Sequence, residues 1–414
     1  MTTEQASFPL AEYPRLRPIE IFPIDDGGER CLVLRDPADP EVRPIVLSDG
    51  AAEVLMLLDG QRSVDGLSAA LQLRGAAITS DQVRLFLQRL DEAGFLEGAR
   101  TETRLAERHA RFAAHSLRPA VHAGGAYAAD PLDLPRMLAD GYLDPAGPGA
   151  LPGPRTSADP PRGVIAPHID LHRGAPTYSW AYKVIAETQP ADLYVVLGTC
   201  HTPVLGGFAA TRKAYDTPLG AVVSDDPFID RLQRLWGNDL FEGEFSHANE
   251  HSIELQAVYL RSLGIAAPMA PLLCDSLHSL VPYGKSPRDV ALVADFVAAL
   301  RQALAEDGRR ITVIAAVDFA HIGTRFGDNW LVDATHLGRV EREDREMLEL
   351  LLQPDAEAYY RHVMRDRDAR RICGFTPLYL LSALMESAGE LLRYTQWVDS
   401  DDSSSVTFAS AVYR

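Results

Sequence analysis

The stretch GVIAPHIDLHRG, residues 163–174, decides how this chain is read. Gly163 to Ala166 form a short run without polar alternation, as expected of a strand covered on both faces. His168, Asp170 and His172 follow directly. The habit recurs twice. Leu193 to Leu197 runs into LGTCHTP, with Cys200 and His201, and Ile311 to Val317 ends at Asp318 and His321 in VDFAHIG. Helical periodicity occupies the intervals, over Ala175 to Glu187, Pro227 to Leu235, Ser252 to Leu263, Asp289 to Glu306 and Asp333 to Leu352. Buried strands alternating with amphipathic helices predict an α/β domain with a mainly parallel or mixed sheet flanked by helices. Functional groups of such sheets gather at the carboxyl ends of the strands, where all three polar clusters fall.

Two more segments carry chemistry. NEHSIELQ places Glu250, His251 and Glu254 at a helix start, and RRICGFTPL places Cys373 ahead of Gly374 and another helix. Imidazole and thiolate together make a borderline-to-soft ligand set, suited to iron, copper or zinc and poorly suited to magnesium or calcium. A carboxylate three residues before a histidine, as in Asp318 and His321, is placed to orient the ring or raise its basicity. Each segment alone has a plainer reading: a satisfied structural histidine, a small buried cysteine, or Glu250 as a helix-start residue. Five such segments in one domain favour a shared site.

Outward from this core, the chain of 414 residues is longer than one hydrophobic core usually supports, so two domains are expected. Residues 1–100 read as a small unit. Ile19 to Pro23, Cys31 to Leu34 and Ile45 to Leu47 are strand-like, and three helices follow. Ser48 is read as the cap of a helix with an apolar face of Ala52, Leu55, Met56 and Leu58; Ser63 as the cap of Val64 to Leu73; Ser80 as the cap of Asp81 to Ala93, with Gly94 as terminator. Residues 101–116 read as a connecting helix, 117–414 as the α/β domain, and the Pro/Gly-rich stretch 144–162 as a flexible surface loop.

With 40 basic and 58 acidic residues the formal charge is −18, which disfavours nucleic acid and anionic membrane as partners. The third helix of the small unit sets Arg84 and Arg89 against Asp81, Asp91 and Glu92, so peptide or protein binding is the better expectation there. Four scattered cysteines, no apolar leader and no long apolar run lead to a cytoplasmic assignment.

The ordered segments RPAVHAGGAYAADPLDL, IAPHIDLHRG, VLGTCHTP, DTPLG, NEHSIELQ, VDFAHIG, ICGFTPL and SDDSSSVTFASAVY resemble the Memo family across nearly 300 residues. Bacterial and archaeal members with this layout are called AmmeMemoRadiSam system protein B, and the small unit resembles the PqqD-like winged-helix recognition fold. The resemblance implies a fold like the class III extradiol dioxygenases, with cysteine in place of the metal-binding carboxylate. It implies iron or copper held by His168, His201 and Cys373, and Asp318 with His321 as the acid/base pair. Where relatives carry Ser-His-His this chain has Cys200-His201-Thr202, and Asp170 and His172 stand where many relatives have Gly and Tyr. Radical SAM and AMMECR-type partners and a peptide or protein substrate are further implications. Two functions stay open at this point: a metal-dependent, dioxygenase-like redox enzyme, or a non-catalytic adaptor that holds a peptide through the small unit and a ligand through the Memo pocket.

Overall fold

Alternating apolar residues in the first hundred positions form a three-stranded antiparallel sheet. In the computed structural model, which describes residues 8–36, 39, 41–401 and 403–414, β1 (Glu20–Asp26), β2 (Glu29–Arg35) and β3 (Ile45–Ser48) pair in that order. Leu32 and Leu34 point from β2 into a core shared with Leu67, Leu87 and Phe95. The helices are α1 (Ala52–Leu55), α2 (Val64–Leu73), α3 (Ser80–Ala93) and α4 (Ala99–Ala114). Ser63 caps α2 through Gly66 N, and Gly94 closes α3 in the left-handed region at φ 87°. Two readings need correction. Ser48 makes no side-chain cap and leads into a short 3₁₀ turn, leaving Met56 exposed. Thr79 rather than Ser80 caps α3, because it closes a reciprocal capping box with Gln82.

The chain divides into compact units Met1–Ala114 and His115–Arg414, so α4 belongs to the first. The reason is electrostatic and local. Arg100 pairs with Asp91 at 2.9 Å, Arg104 and Arg108 reach the buried Asp39 at 3.1 and 2.8 Å, and Arg111 reaches Glu41 at 2.8 Å.

The second unit begins with β4 (Leu117–Arg118) and α5 (Asp133–Leu143), then β5 (Gly163–Ala166), α6 (Leu171–Glu187), β6 (Leu193–Thr199), β7 (Phe208–Ala210), β8 (Ala214–Tyr215), α7 (Asp226–Trp236), α8 (Ser252–Ser262), β9 (Met269–Cys274), α9 (Leu277–Leu280) and α10 (Ala291–Asp307). It continues with β10 (Ile311–Ala316), β11 (His321–Ile322), α11 (Ala334–Leu351), α12 (Ala356–Met364), α13 (Phe375–Leu384), β12 (Gly389–Val398) and β13 (Ser405–Tyr413). The main sheet runs β11-β13-β5-β10-β6-β9-β7, with β12 on the outside of β13. Its centre, β5-β10-β6-β9, is parallel; β7, β11, β12 and β13 are antiparallel. The sheet is therefore mixed: a parallel heart with antiparallel margins.

One face of the sheet buries α7, α10, α12 and α13, the other α5, α6 and α8. Strand β6 is fully buried, as its unbroken apolar run requires. Gly198 near its end leaves room for α8: a Cβ there would stand 2.5 Å from Ile253 Cγ1. The stretch 144–162 has no regular structure, yet it is tied to α6 by Trp180 Nε1 to Ala146 O and by Lys183 Nζ to Leu151 O, both at 3.0 Å. Among the described residues, no helix is long and apolar enough to cross a membrane.

Candidate metal centre

Because β5, β10 and β6 are neighbours in parallel register, the residues just beyond their carboxyl ends meet. His168, two residues past β5, is buried, and its Nδ1 donates to Ala316 O at 3.0 Å. A carbonyl only accepts, so the proton sits on Nδ1 and Nε2 presents a lone pair. That nitrogen lies 3.3 Å from Cys373 Sγ and 3.6 Å from Asp318 Oδ2.

His201 follows β6. Its backbone N–H donates to Glu250 at 2.9 Å and its Nδ1 lies 3.1 Å from the same carboxylate. His251, at the entry to α8, sets Nδ1 3.1 Å from the other Glu250 oxygen. Glu250 also takes the backbone N–H groups of His251 and Ser252, at 2.8 and 3.0 Å. Its helix-start role is thus real, and the same carboxylate also orients two imidazoles. One ring nitrogen from each of His168, His201 and His251 lies within 4.8 Å of the others. Nδ1 is engaged in all three rings, which leaves Nε2 as the donor atom; this is how metal-binding histidines are held by carboxylate or carbonyl partners.

Cys373 arrives from a strained approach. Arg367, Asp368 and Arg371 take φ of 60°, 55° and 56°, left-handed values that cost roughly 1–2 kcal/mol each. Asp368 holds the turn: it accepts Ile372 N at 3.0 Å and faces His278 Nε2 at 2.9 Å. Gly374 lets the segment reach the end of β10, since a Cβ would stand 2.5 Å from Val317 Cβ.

Among the described residues, Asp318 makes no side-chain hydrogen bond to His321. Its Oδ1 accepts the backbone N–H groups of His168 and Ile169 at 3.0 and 3.3 Å, so it shapes the His168 turn. His321 Nδ1 instead faces the carbonyls of Phe319 and Arg371 at 3.0 and 3.1 Å. The expected carboxylate–histidine pairing is therefore replaced by two carbonyls, one from the ring's own loop and one from the segment ahead of Cys373.

Burial sets most of the electrostatics. It holds the His168 pKa well below the usual range, aided by His201 and His251, lowers His321 to about 4 and pushes Asp318 up to about 6. For His201 burial acts downward, but the Glu250 carboxylate overrides it and raises the pKa well above ordinary. Glu250 is correspondingly held low by the two imidazoles, against its own burial. The Cys373 thiol is pushed up by burial, with His201 pulling it back.

His168, His201, His251, Asp318 and His321 line one cavity of about 190 Å³, with Asp170 at its edge. His172 does not join them: it is exposed and lines a separate cleft with Asp133 and Asp140, because α6 begins at Leu171 and rotates it away. Cys200 is buried in the core, its thiol pushed up to about 12 by burial and by Glu250, 3.6 Å from Thr202 Oγ1. It packs. The sequence offers His251 only as part of a helix start between Glu250 and Glu254; its ring joins His168 and His201 because Glu250 orients it.

Deeper still lies a buried support. Arg118 pairs with Glu254, which also receives Tyr127 OH, and Arg118 Nη2 donates to Glu250 O at 2.7 Å. This places the entry of α8, and with it His251.

The family model for Memo-like protein matches residues 118–412, and the chain belongs to the Memo family. A MEMO1 family protein of Aquifex aeolicus is 26% identical over 400 residues, covering 95% of this chain and 99% of that one. A MEMO1 family protein of Methanopyrus kandleri is 32% identical over 308 residues, covering 72% of this chain and 98% of its own. At 95% of this chain, the Aquifex match takes in most of the small unit as well.

Proposed function

We propose that this chain is a metal-dependent redox enzyme of the dioxygenase-like kind, with iron or copper as its ion. The observation that carries the reading is the convergence of the His168, His201 and His251 ring nitrogens, with Cys373 Sγ 3.3 Å from His168 Nε2. The set fits such an ion. Three imidazoles with Nδ1 engaged and one thiol are borderline-to-soft donors, and no hard-oxygen cage surrounds them. His168, His201 and Cys373 would hold the ion, with His251 as a further imidazole within reach. When bound, it would supply Lewis acidity and one-electron chemistry in a small cavity.

The remaining work falls to the chain. His321 carries its proton on Nδ1, held by two carbonyls, so its Nε2 is the free base and would accept a proton from a substrate hydroxyl. Its lowered pKa keeps it neutral at pH 7. Asp318 locks the backbone on either side of the His168 peptide, holding that ring in place. Glu250 stays anionic and keeps its hold on His201 Nδ1 when that ring gives up its other proton.

A second reading has its own support, in the small unit. Its sheet ends in the edge strands β1 and β3, to which a peptide strand would add, and its outward face sets Phe22, Val33 and Val46 in one apolar cross-strand row beside them. This favours peptide or protein recognition by the small unit; that the unit is of the PqqD-like winged-helix kind, and that a radical SAM or AMMECR-type partner hands over the substrate in the cytoplasm, is what the family resemblance adds to the proposal. In the adaptor version the cavity holds a ligand without turnover.

The deciding test is metal analysis of full-length protein purified without chelators, repeated for His168→Ala and Cys373→Ala. Stoichiometric iron or copper lost in both variants supports the enzyme. A metal-free wild type that takes up neither ion on reconstitution leaves the adaptor.

A further inference from the structure

The cavity is lined by more than donors. Ile169, Phe326 and Val406 give it an apolar side, and Arg173 and Arg325 bring two guanidinium groups to it in a chain whose formal charge is −18. Arg173 lies in the first turn of α6; its guanidinium stacks over Trp397 at 4.6 Å from the ring centre, and Nη2 reaches Asp170 at 2.6 Å. Arg325 reaches Asp399 with Nη1 at 3.3 Å, and Asp399 is held in turn by Ser404 Oγ at 2.5 Å. Each guanidinium keeps several N–H donors beyond that single contact.

We propose that the substrate of this cavity is a small molecule bearing a carboxylate or phosphate, gripped by Arg173 and Arg325, with its reacting end against His168, His201 and His321. The proposal rests on the reading of this cavity as the working site. Four features carry it. The existing carboxylate partners are partly exposed ion pairs, worth about 0–1 kcal/mol, so an entering oxyanion competes with them on even terms. The stack on Trp397 holds the Arg173 fork in one plane, which suits two-point binding of an oxyanion. The volume of about 190 Å³ sets the size. A cavity of about 150 Å³ takes benzene, so one ring or a short chain fits within this one. The apolar wall of Ile169, Phe326 and Val406 matches the body of such a molecule.

The test titrates benzoate and, separately, inorganic phosphate into the full-length protein and into Arg173→Gln, Arg325→Gln and the double variant, by calorimetry. Metal content is measured on every sample. One or both probes bind the wild type, each single variant weakens binding roughly tenfold, and the double variant abolishes it. Arg173→Lys, which keeps the charge but not the planar fork, falls between wild type and Arg173→Gln. Preference for benzoate points to a carboxylate substrate and preference for phosphate to a phosphorylated one. Equal binding by wild type and double variant, or none by either probe at high millimolar concentration, overturns the proposal. Anion binding by a wild type that takes up no metal sinks the metal reading and leaves this one standing. Metal uptake without anion binding does the reverse.

Discussion

The two ends of the main sheet make an instructive contrast. At the amino end, Arg162, Arg301, Arg309 and Arg310 surround a cavity of about 330 Å³, larger than the one at the carboxyl end. Three of its four cations face carboxylates of the chain, and Arg301 donates to Ala383 O. Arg309 is forked onto Asp225 at 2.7 and 3.1 Å and onto Asp307, Arg310 grips Asp192 at 3.0 Å, and Arg162 faces Glu386 at 3.4 Å. Asp307 is held down to about 2, chiefly by Arg309. At the carboxyl end, His168, His201 and His251 have Nδ1 engaged by a carbonyl or a carboxylate, and their rings converge with Cys373 Sγ. What separates the two ends is the kind of group gathered there, guanidinium and carboxylate at one and imidazole and thiol at the other.

The comparison is broken most sharply by removing donors. His168→Ala and Cys373→Ala are expected to abolish stoichiometric metal, read by mass spectrometry of the purified protein. Unchanged metal in both would mean the two ends differ in nothing that matters. His251→Ala sorts ligand from bystander: a large fall in metal affinity makes it a ligand, and an unchanged affinity leaves the other three.

Glu250→Gln acts one step back. It removes the charge that orients two imidazoles, and outer partners of this kind typically carry about 10–100-fold in metal affinity. The expected result is a loss in that range by competition titration, with a milder dependence on pH. In the wild type a protonated His201 and a neutral Cys373 must release protons to bind, so affinity is expected to fall as pH falls.

Near this end His247 is fully buried between Tyr215 OH at 2.7 Å and Ala209 O at 3.0 Å, and burial depresses its pKa to about 3. The folded protein refuses a proton that the unfolded chain accepts. Its contribution to stability is therefore complete above pH 6.5 and drains as pH falls from there toward 3. Order-of-magnitude linkage gives about 1.4 kcal/mol per pH unit within that window. His247→Gln is expected to start less stable but to lose less between pH 6.5 and 4, measured by denaturant titration; parallel slopes would refute this.

The amino end gives the smaller effects. Arg309→Gln is expected to lower the melting temperature by roughly 2–4 °C while leaving metal content unchanged. Loss of metal there would show that the two ends are coupled. Cys200→Ser should do least, since the thiol packs and holds no donor position; altered metal content would reopen its role.

Much of this architecture was legible in the residues. The strands Gly163–Ala166 and Ile311–Ala316 and the helices after Ser63, Asp225 and Asp333 follow local rules of burial period and capping. The terminal hairpin of β12 and β13 was not read as strands, because its pairing with β5 joins residues about 250 positions apart. The site divides the same way. His168, His201, Asp318, His321 and Cys373 stand out by type and position, but what each does depends on partners the text cannot supply.

By itself the sequence determined that polar groups follow buried strands, since the period of side-chain burial is written within a few residues. Only the tertiary structure decided that Glu250 serves two imidazoles, that Asp318 secures His168 instead of His321, and that Cys200 and His172 stand aside. The reason is that a hydrogen-bond partner is chosen by distance in space. Asp318 and the His168 N–H lie 150 residues apart in the chain and 3.0 Å apart in the fold.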